Sequence, residues 1–464
     1  MKERSQGDGS ARSRRGSALL KFLPSELFHA FNREQLRSWG ALAVLAACLA
    51  SLAVWVAQGS TSLSSALTVM AKSSAFLAIT LLSVNFVLST RARFLEEAFG
   101  GLDRMYKVHK LVGKAALLFA ILHPTFLVMR RLGEWELVAE YLVPGLSWPF
   151  TLGLLSTLLM LVLIGLTVQA KLPYHVWKRT HRLFVAALLL AMAHALLSGS
   201  DIAKYPVLGY WVAGMSLVGV ACFVYTVHFY RYLGPRTRGQ VVAARRMGNI
   251  TELTVRTEKA LPFHPGQFVF LRFLRFAEVR ESFPFSLSND PSEGVIRISA
   301  KRSGDFTSGP LTTSEVGDAV EVMGPYGKFG ERYLVHRSDM VWIAGGIGIT
   351  PFLSMAKHEA KSPVGRKVHL VWVYSDPSDA AYESEVRAET LNNPCFTFTH
   401  WNSRSMGRID GKQLAGLVDG IEEIRRRTIF ICGPPALMRS MFDQLVELGV
   451  PRRRIFYEDF DLLG

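Results

Sequence analysis

Cysteine is scarce. Only Cys48, Cys222, Cys395 and Cys432 occur in 464 residues, without a CxxC or a close cluster. That excludes a disulfide framework and a cysteine-ligated iron–sulfur centre. Acidic residues are also in short supply: 38 Asp and Glu face 53 Lys and Arg, a formal charge of +15. Such a surplus can serve nucleic acid. Here the basic residues crowd beside apolar stretches, where membrane topology accounts for them, and no nucleic-acid partner is expected. The N-terminus, polar and Arg-rich, lacks an apolar run followed by a small-residue cleavage site. Residues 1–36 read as a basic, partly disordered cytoplasmic tail.

Apolar runs, in contrast, are abundant, and they are confined to one part of the chain. Six lie at 39–57, 66–88, 111–129, 150–170, 183–197 and 207–230. Most approach the roughly 20 apolar residues that cross a bilayer; the fifth is short unless its flank, including His181, also enters. Residues 37–232 therefore read as a six-helix transmembrane bundle. Arg91, Arg93, Arg104, Lys107 and Lys110 follow the second run, and Lys171, Lys178, Arg179 and Arg182 the fourth. Arg231, Arg236 and Arg238 follow the sixth, while loop 58–65 has no charge at all. This asymmetry places both termini, and whatever follows the bundle, in the cytoplasm of a multi-pass membrane protein.

Four histidines sit inside these runs in two pairs, His109 with His123 and His181 with His194, at spacings of 14 and 13 residues. An ionisable side chain at membrane depth is costly and usually functional. Two helices that each carry two imidazoles about 20 Å apart can hold two haems across a bilayer, His109 facing His181 and His123 facing His194. On an ideal helix, 14 residues leave two side chains about 40° apart and 13 leave them about 140° apart. The fifth span must therefore be tightened or bent. His175 and His228 have no partner at matching depth and read as structural.

After Gly234-Pro235 the pattern changes. Short β-type runs at 240–244, 252–256, 268–273, 295–300 and 319–322 suggest an antiparallel barrel over 236–335. Strands at 340–344, 368–374, 396–400 and 428–432 alternate with helical patterns over 336–464, as in a parallel-sheet α/β domain. Within the first stretch lie His264-Pro265-Gly266-Gln267-Phe268, Phe283-Pro284-Phe285-Ser286, Gly304-Asp305-Phe306-Thr307 and Gly324-Pro325-Tyr326-Gly327. A flavin needs a flat aromatic, a small hydroxyl near N5 and backbone donors for its pyrophosphate. Phe285, Ser286 and the Gly304–Thr307 turn ahead of a helix around 308–312 can supply them. Gly345-Gly346-Ile347-Gly348-Ile349-Thr350-Pro351 reads as a strand end, a glycine turn and a helix start, with Thr350 as cap. Cys432-Gly433-Pro434 ends a later strand, where such sheets bind ligand, and Cys432 can face a nicotinamide.

In this order and spacing the motifs resemble those of the transmembrane flavocytochromes of the ferric reductase and NADPH oxidase superfamily. The resemblance covers roughly residues 37 to 464. It implies a six-helix bis-haem module fused to a ferredoxin–NADP reductase-like dehydrogenase that uses FAD, two b-type haems and NADPH or NADH. It also implies ligand roles for His109, His123, His181 and His194, and flavin contacts for Phe285, Ser286 and Thr307. Dinucleotide contacts fall to Gly345, Gly346, Gly348 and Thr350, and Phe460 is the C-terminal aromatic against the flavin, a gate for the nicotinamide. Ser403-Arg404 resembles the 2′-phosphate contact of NADP-using reductases, which favours NADPH although Asp376 opposes it. Two departures stand out. Phe283 replaces a histidine of the oxidase-type members, leaving a phosphate contact missing or supplied by Lys301 or Arg302, and Leu127 occupies a place where superoxide-forming members tend to carry histidine. The expected activity is electron transfer from NAD(P)H to a small external acceptor, a ferric or other metal complex. Its rivals are dioxygen reduction to superoxide and a haem-free, membrane-anchored flavin reductase.

Overall fold

The computed structural model describes residues 38–58, 65–169, 172–199, 201–275, 282–302, 307 and 309–458. Six helical segments are long and apolar enough to cross a membrane. They are α1 (Trp39–Ala57), α2 (Ala66–Leu88) and, after the short α3 (Arg93–Phe99), α4 (Leu102–Arg130) and α5 (Trp148–Val168), then the consecutive α6 (Tyr174–His181) and α7 (Phe184–Leu197), and α8 (Pro206–Val224). The first two start behind serine caps: Ser38 accepts from the Ala41 amide and Ser65 from the Thr68 amide, satisfying N–H groups that a helix start leaves open. Leu42, Leu45 and Leu49 on α1, and Leu155, Leu158 and Leu161 on α5, are exposed, as on helices that are apolar all round and face hydrocarbon. Inside, polar side chains find partners on neighbouring helices. Ser51 Oγ lies 2.7 Å from Thr80 Oγ1, the Trp211 indole donates to Ser51 at 2.9 Å, and Ser156 donates to the Ala187 carbonyl at 2.8 Å. Such bonds hold helices together where lipid removes the hydrophobic drive.

Two spans differ from the apolar pattern. α4 begins at Leu102, well before the apolar run, because the charged turn ahead of it limits membrane depth without preventing helix; Asp103 in its first turn complements the dipole. The fifth span is two helices. α6 ends at His181 and α7 begins at Phe184, and the junction carries i→i−3 bonds: Leu183 N to Thr180 O, Val185 N to Arg182 O and Ala186 N to Leu183 O. This is the local tightening that the 13-residue spacing demands.

The next module is a six-stranded antiparallel sheet in the order β4-β3-β6-β1-β2-β5, built from β1 (Arg236–Met247), β2 (Ile250–Thr257), β3 (Phe268–Phe273), β4 (Phe283–Ser286), β5 (Ile296–Lys301) and β6 (Ala319–Tyr326). A bridge from Leu287 to Ile298 brings its two edges together. Around it, Val241, Leu253, Leu271, Phe285 and Val322 form the barrel core. After α9 (Phe329–Val335) come β7 (Met340–Gly345), α10 (Thr350–Lys361), β8 (Val368–Tyr374), α11 (Glu383–Asn392), β9 (Phe396–Asn402), β10 (Thr428–Cys432), α12 (Pro435–Glu447) and β11 (Ile455–Glu458). Their strands form a parallel sheet ordered β11-β10-β7-β8-β9. β7 and β10 are buried at every position, as strands covered on both faces should be.

One apolar cluster runs from Leu102 and Met105 in the bundle into Phe268, Phe270 and Tyr326 of the barrel. The seam is also pinned by polar contacts: Arg332 donates to the Gly100 carbonyl at 3.0 Å, the Tyr230 and Tyr326 hydroxyls pair, and the Arg91 guanidinium lies 4.4 Å over the Phe270 ring. The barrel and the parallel sheet are joined by Arg297 with Glu385, Lys301 with Asp379 at 2.7 Å, and Ser354 with the Asn289 carbonyl at 2.6 Å.

Candidate functional site

The four intramembrane histidines come together in the expected pairs. The ring centroids of His109 and His181 are 6.1 Å apart, and those of His123 and His194 are also 6.1 Å apart. An iron held between two imidazoles needs about 6.2 Å: twice a metal–nitrogen bond of about 2.0 Å plus about 1.1 Å from nitrogen to ring centre. The second nitrogen of each ring fits the same purpose. Nδ1 of His109, His123 and His194 lies 3.1, 2.9 and 2.7 Å from the carbonyls of Asn85, Ala71 and Pro149. A carbonyl only accepts, so Nδ1 carries the proton and Nε2 is left with a lone pair for a metal. His181 Nδ1 sits at the long limit, 3.5 Å from Thr167 Oγ1, whose own proton goes to the Leu163 carbonyl. Gly153 makes room for the second pair, since a Cβ there would lie 2.9 Å from His194 Nδ1. His109 and His181 lie at the barrel end of the bundle: Lys107 rests 4.7 Å over the Tyr457 ring, and Tyr174 meets Phe283.

The flavin-type motifs also assemble. Phe268 pairs with Ser286 on one side and Tyr326 on the other. Gln267 accepts from the His264 amide at 2.8 Å and donates to the Gly327 carbonyl at 3.1 Å, so it ties two loops together. Phe285 is 6 % exposed and packs into the barrel core, and Ser286 is buried beside it. Gly304 and Phe460 lie outside the described residues. Thr307 anchors a turn through its carbonyl, which accepts from Thr312 Oγ1 at 2.7 Å; the described part of the expected helix, 309–312, is turn. Lys301 is engaged by Asp379, which draws it towards the parallel sheet.

At the carboxyl ends of the parallel strands, the two glycine turns touch. A Cβ on Gly348 would lie 2.5 Å from the Cys432 carbonyl, and one on Gly345 2.7 Å from Pro434. Gly346 has φ +53° with nothing within 4 Å of its missing Cβ, a left-handed, open backbone that favours glycine. Thr350 does not cap its helix. Ile349 takes the cap position, and the Thr350 hydroxyl donates to the Ile347 carbonyl at 3.0 Å, because the short 3₁₀ turn at Gly346–Ile349 carries the chain into helix one residue early. Cys432 is 1 % exposed and sits in the core with Ile349 and Phe352. Ser403 donates to the Tyr374 carbonyl at 3.1 Å, joining the ends of β9 and β8. Asp376, beside them, is held below the usual carboxylate range by the Ser378 amide and hydroxyl, with Arg404 adding to the effect.

Two groups escaped the sequence reading. Trp177 stacks on His181, with centroids 5.0 Å apart and planes 27° from parallel; an aromatic one helical turn before a histidine of an apolar span was a visible signal. Glu458, 3 % exposed, has one carboxylate oxygen without a partner, and nothing in a four-residue strand advertises that.

Residues 74–192 match the ferric reductase like transmembrane component, which takes in His109, His123 and His181, with His194 just beyond. Residues 342–443 match the oxidoreductase NAD-binding domain. The chain is an oxidoreductase. It joins a ferric reductase-like membrane component to a FAD/NAD-binding module like ferredoxin reductase, consistent with a ferric reductase/NADPH oxidase-type flavocytochrome. It is 29% identical over 207 residues to the reductase component of propane 2-monooxygenase from Rhodococcus jostii (strain RHA1), covering 43% of this chain and 55% of that one. A flavohemoprotein of Rhizobium meliloti (strain 1021) is 30% identical over 218 residues, covering 43% and 53%. The chain thus spans about half the length of these curated relatives. Among solved structures, a flavohemoglobin from Malassezia yamatoensis with bound FAD and haem has a TM-score of 0.47 at 20% identity, covering 85% of this chain and 96% of that one.

Proposed function

We propose that the protein carries electrons from NAD(P)H on the cytoplasmic side, through FAD and two b-type haems, to an acceptor on the opposite face, a ferric or other metal complex. The observation that carries this reading is the pair of 6.1 Å histidine contacts, with the Nδ1 of His109, His123 and His194 committed to backbone carbonyls. When bound, FAD turns a two-electron hydride into single electrons that haem iron takes one at a time. The residues do the rest. The open backbone at Gly346 and the facing turns at Gly345, Gly348, Gly433 and Pro434 offer amides and space to a pyrophosphate. Ser286 presents a hydroxyl on the flavin strand, with Phe285 fixing that strand in the barrel core and Thr307 anchoring the turn offered to the phosphates. The Cys432 thiol is buried in the core, and it is its carbonyl, against Gly348, that borders the turns. Ser403 and Arg404 receive a 2′-phosphate, which favours NADPH. His109 with His181, then His123 with His194, hold the irons in series across the bundle.

Leu127, an aliphatic side chain with no proton to give, favours a metal complex over dioxygen. A reduced-minus-oxidised absorbance spectrum of the purified protein tests the haems: without haem bands the reading becomes that of an anchored flavin reductase. Steady-state NADPH oxidation with a ferric chelate, compared with dioxygen, tests the acceptor; dye reduction abolished by superoxide dismutase would identify the oxygen reaction instead.

A further inference from the structure

Helix α6 carries Tyr174, Trp177 and His181 at i, i+3 and i+7, one face of a helix. Their rings form a column. Tyr174 stacks on Trp177 at 5.5 Å and 26°, and Trp177 on His181 at 5.0 Å and 27°. At its other end the column leaves the bundle, for Tyr174 meets Phe283 of β4 at 5.9 Å. Phe283 shares β4 with Ser286, and His181 faces His109 at 6.1 Å. An unbroken run of aromatic rings therefore spans the seam between the flavin-motif strand and the nearer histidine pair.

Packing is a weak reason for this column. None of the residues of α6 is fully buried, and aromatic pairs contribute only about 0.5–1.5 kcal/mol beyond their area. Arg179, on the opposite side of the helix, and Arg182, just past its end, are exposed, while Lys178 lies 5.5 Å over the Tyr174 ring.

We propose that Tyr174 and Trp177 are the electronic contact between the flavin strand and His181, an inference that rests on the reading of His109 and His181 as haem ligands. In each passage one electron leaves the reduced flavin and one ferric iron becomes ferrous. The proton that the flavin gives up goes to water, and the aromatic rings end as they began. The pair are positioning residues for transfer, since they touch neither the hydride nor the final acceptor.

The test uses the full chain loaded with FAD and haem. Tyr174→Leu and Trp177→Leu should leave the haem bands, the flavin content and the anaerobic bleaching of flavin by NADPH unchanged. Haem reduction after that bleaching should slow at least roughly tenfold, and Trp177→Phe should restore it to within about twofold. A readout independent of turnover checks the contact itself. With cysteines at both 174 and 283, a short thiol-specific bifunctional reagent should cross-link the pair but not either single variant. Unchanged haem reduction in both leucine variants overturns the proposal, as does failure of the cross-link. Loss of haem from all three Tyr174 and Trp177 variants assigns the pair to haem binding and overturns it too. Wild-type protein without haem bands defeats the proposed function itself, a result distinct from all of these.

Discussion

The Glu96 carboxylate accepts the Gly327 amide proton at 2.7 Å, linking residues 231 positions apart across the seam between bundle and barrel. On the other side of Gly327 lies Glu458, close enough that a Cβ on the glycine would meet its carboxylate at 2.5 Å. Burial is the main reason that the Glu458 carboxyl is pushed well above its ordinary range, with Asp103 and Glu96 adding to it and Arg332 opposing. A raised acid favours its protonated form in the fold. The stability it contributes is complete below the ordinary glutamate range and is lost as pH rises through the raised value. Glu458→Gln copies the neutral acid, so thermal melts from about pH 5 to about pH 9 should show a flatter profile, with the gain over wild type at the alkaline end.

Each histidine pair should hold one haem. His123→Ala or His194→Ala should lower haem per protein by about half, and combining the two should lower it no further. His109→Ala together with His123→Ala should remove both haems. Quantitative haem extraction measures this.

Gly153 lies where any side chain presses on the imidazole of His194. Gly153→Val should displace that ring from the Pro149 carbonyl and weaken haem binding at the His123–His194 pair by about 10- to 100-fold, the usual effect of losing a ligand's supporting bond. The bands of the His109–His181 site should persist in the same spectrum.

Arg404 stands at the end of β9 beside Asp376. Arg404→Ala should raise KM for NADPH about tenfold, the worth of one charge-assisted contact, and leave NADH almost unchanged. Asp376→Asn should shift preference further towards NADPH. Equal NADPH kinetics in Arg404→Ala and wild type would remove the argument for a 2′-phosphate site.

Behind the parallel sheet, Arg366 (3 % exposed) and Glu359 (1 % exposed) form a buried pair, which Tyr333 joins by donating to Glu359 at 2.7 Å. Arg366→Met strands a buried carboxylate and should cost about 3–5 kcal/mol. The double variant Arg366→Met, Glu359→Leu should recover most of that. Denaturant unfolding followed by flavin release reads both.

The sequence was legible where one physical rule acts alone. Hydrocarbon thickness set α1 and α2 to the residue, and the apolar runs of β8 and β10 fixed those strands as closely. The histidine spacing revealed both the pairing and the need for a tightened fifth span. Short strands escaped notice: β11 has four residues and owes its existence to pairing with β10, which is a tertiary effect. Thr350 looked like a cap because its residue type and position suit one, but the preceding 3₁₀ turn took that role. The seam contacts, Glu96 with Gly327 and Tyr174 with Phe283, join residues far apart in sequence that no periodicity connects.

The junction at Arg182–Leu183 gives the fifth span a joint. His181 rides on a helix that leans on the barrel, while His194 rides on one held among its membrane neighbours. A shift of the barrel against the bundle would thus be felt by the His181 imidazole and damped before it reached His194.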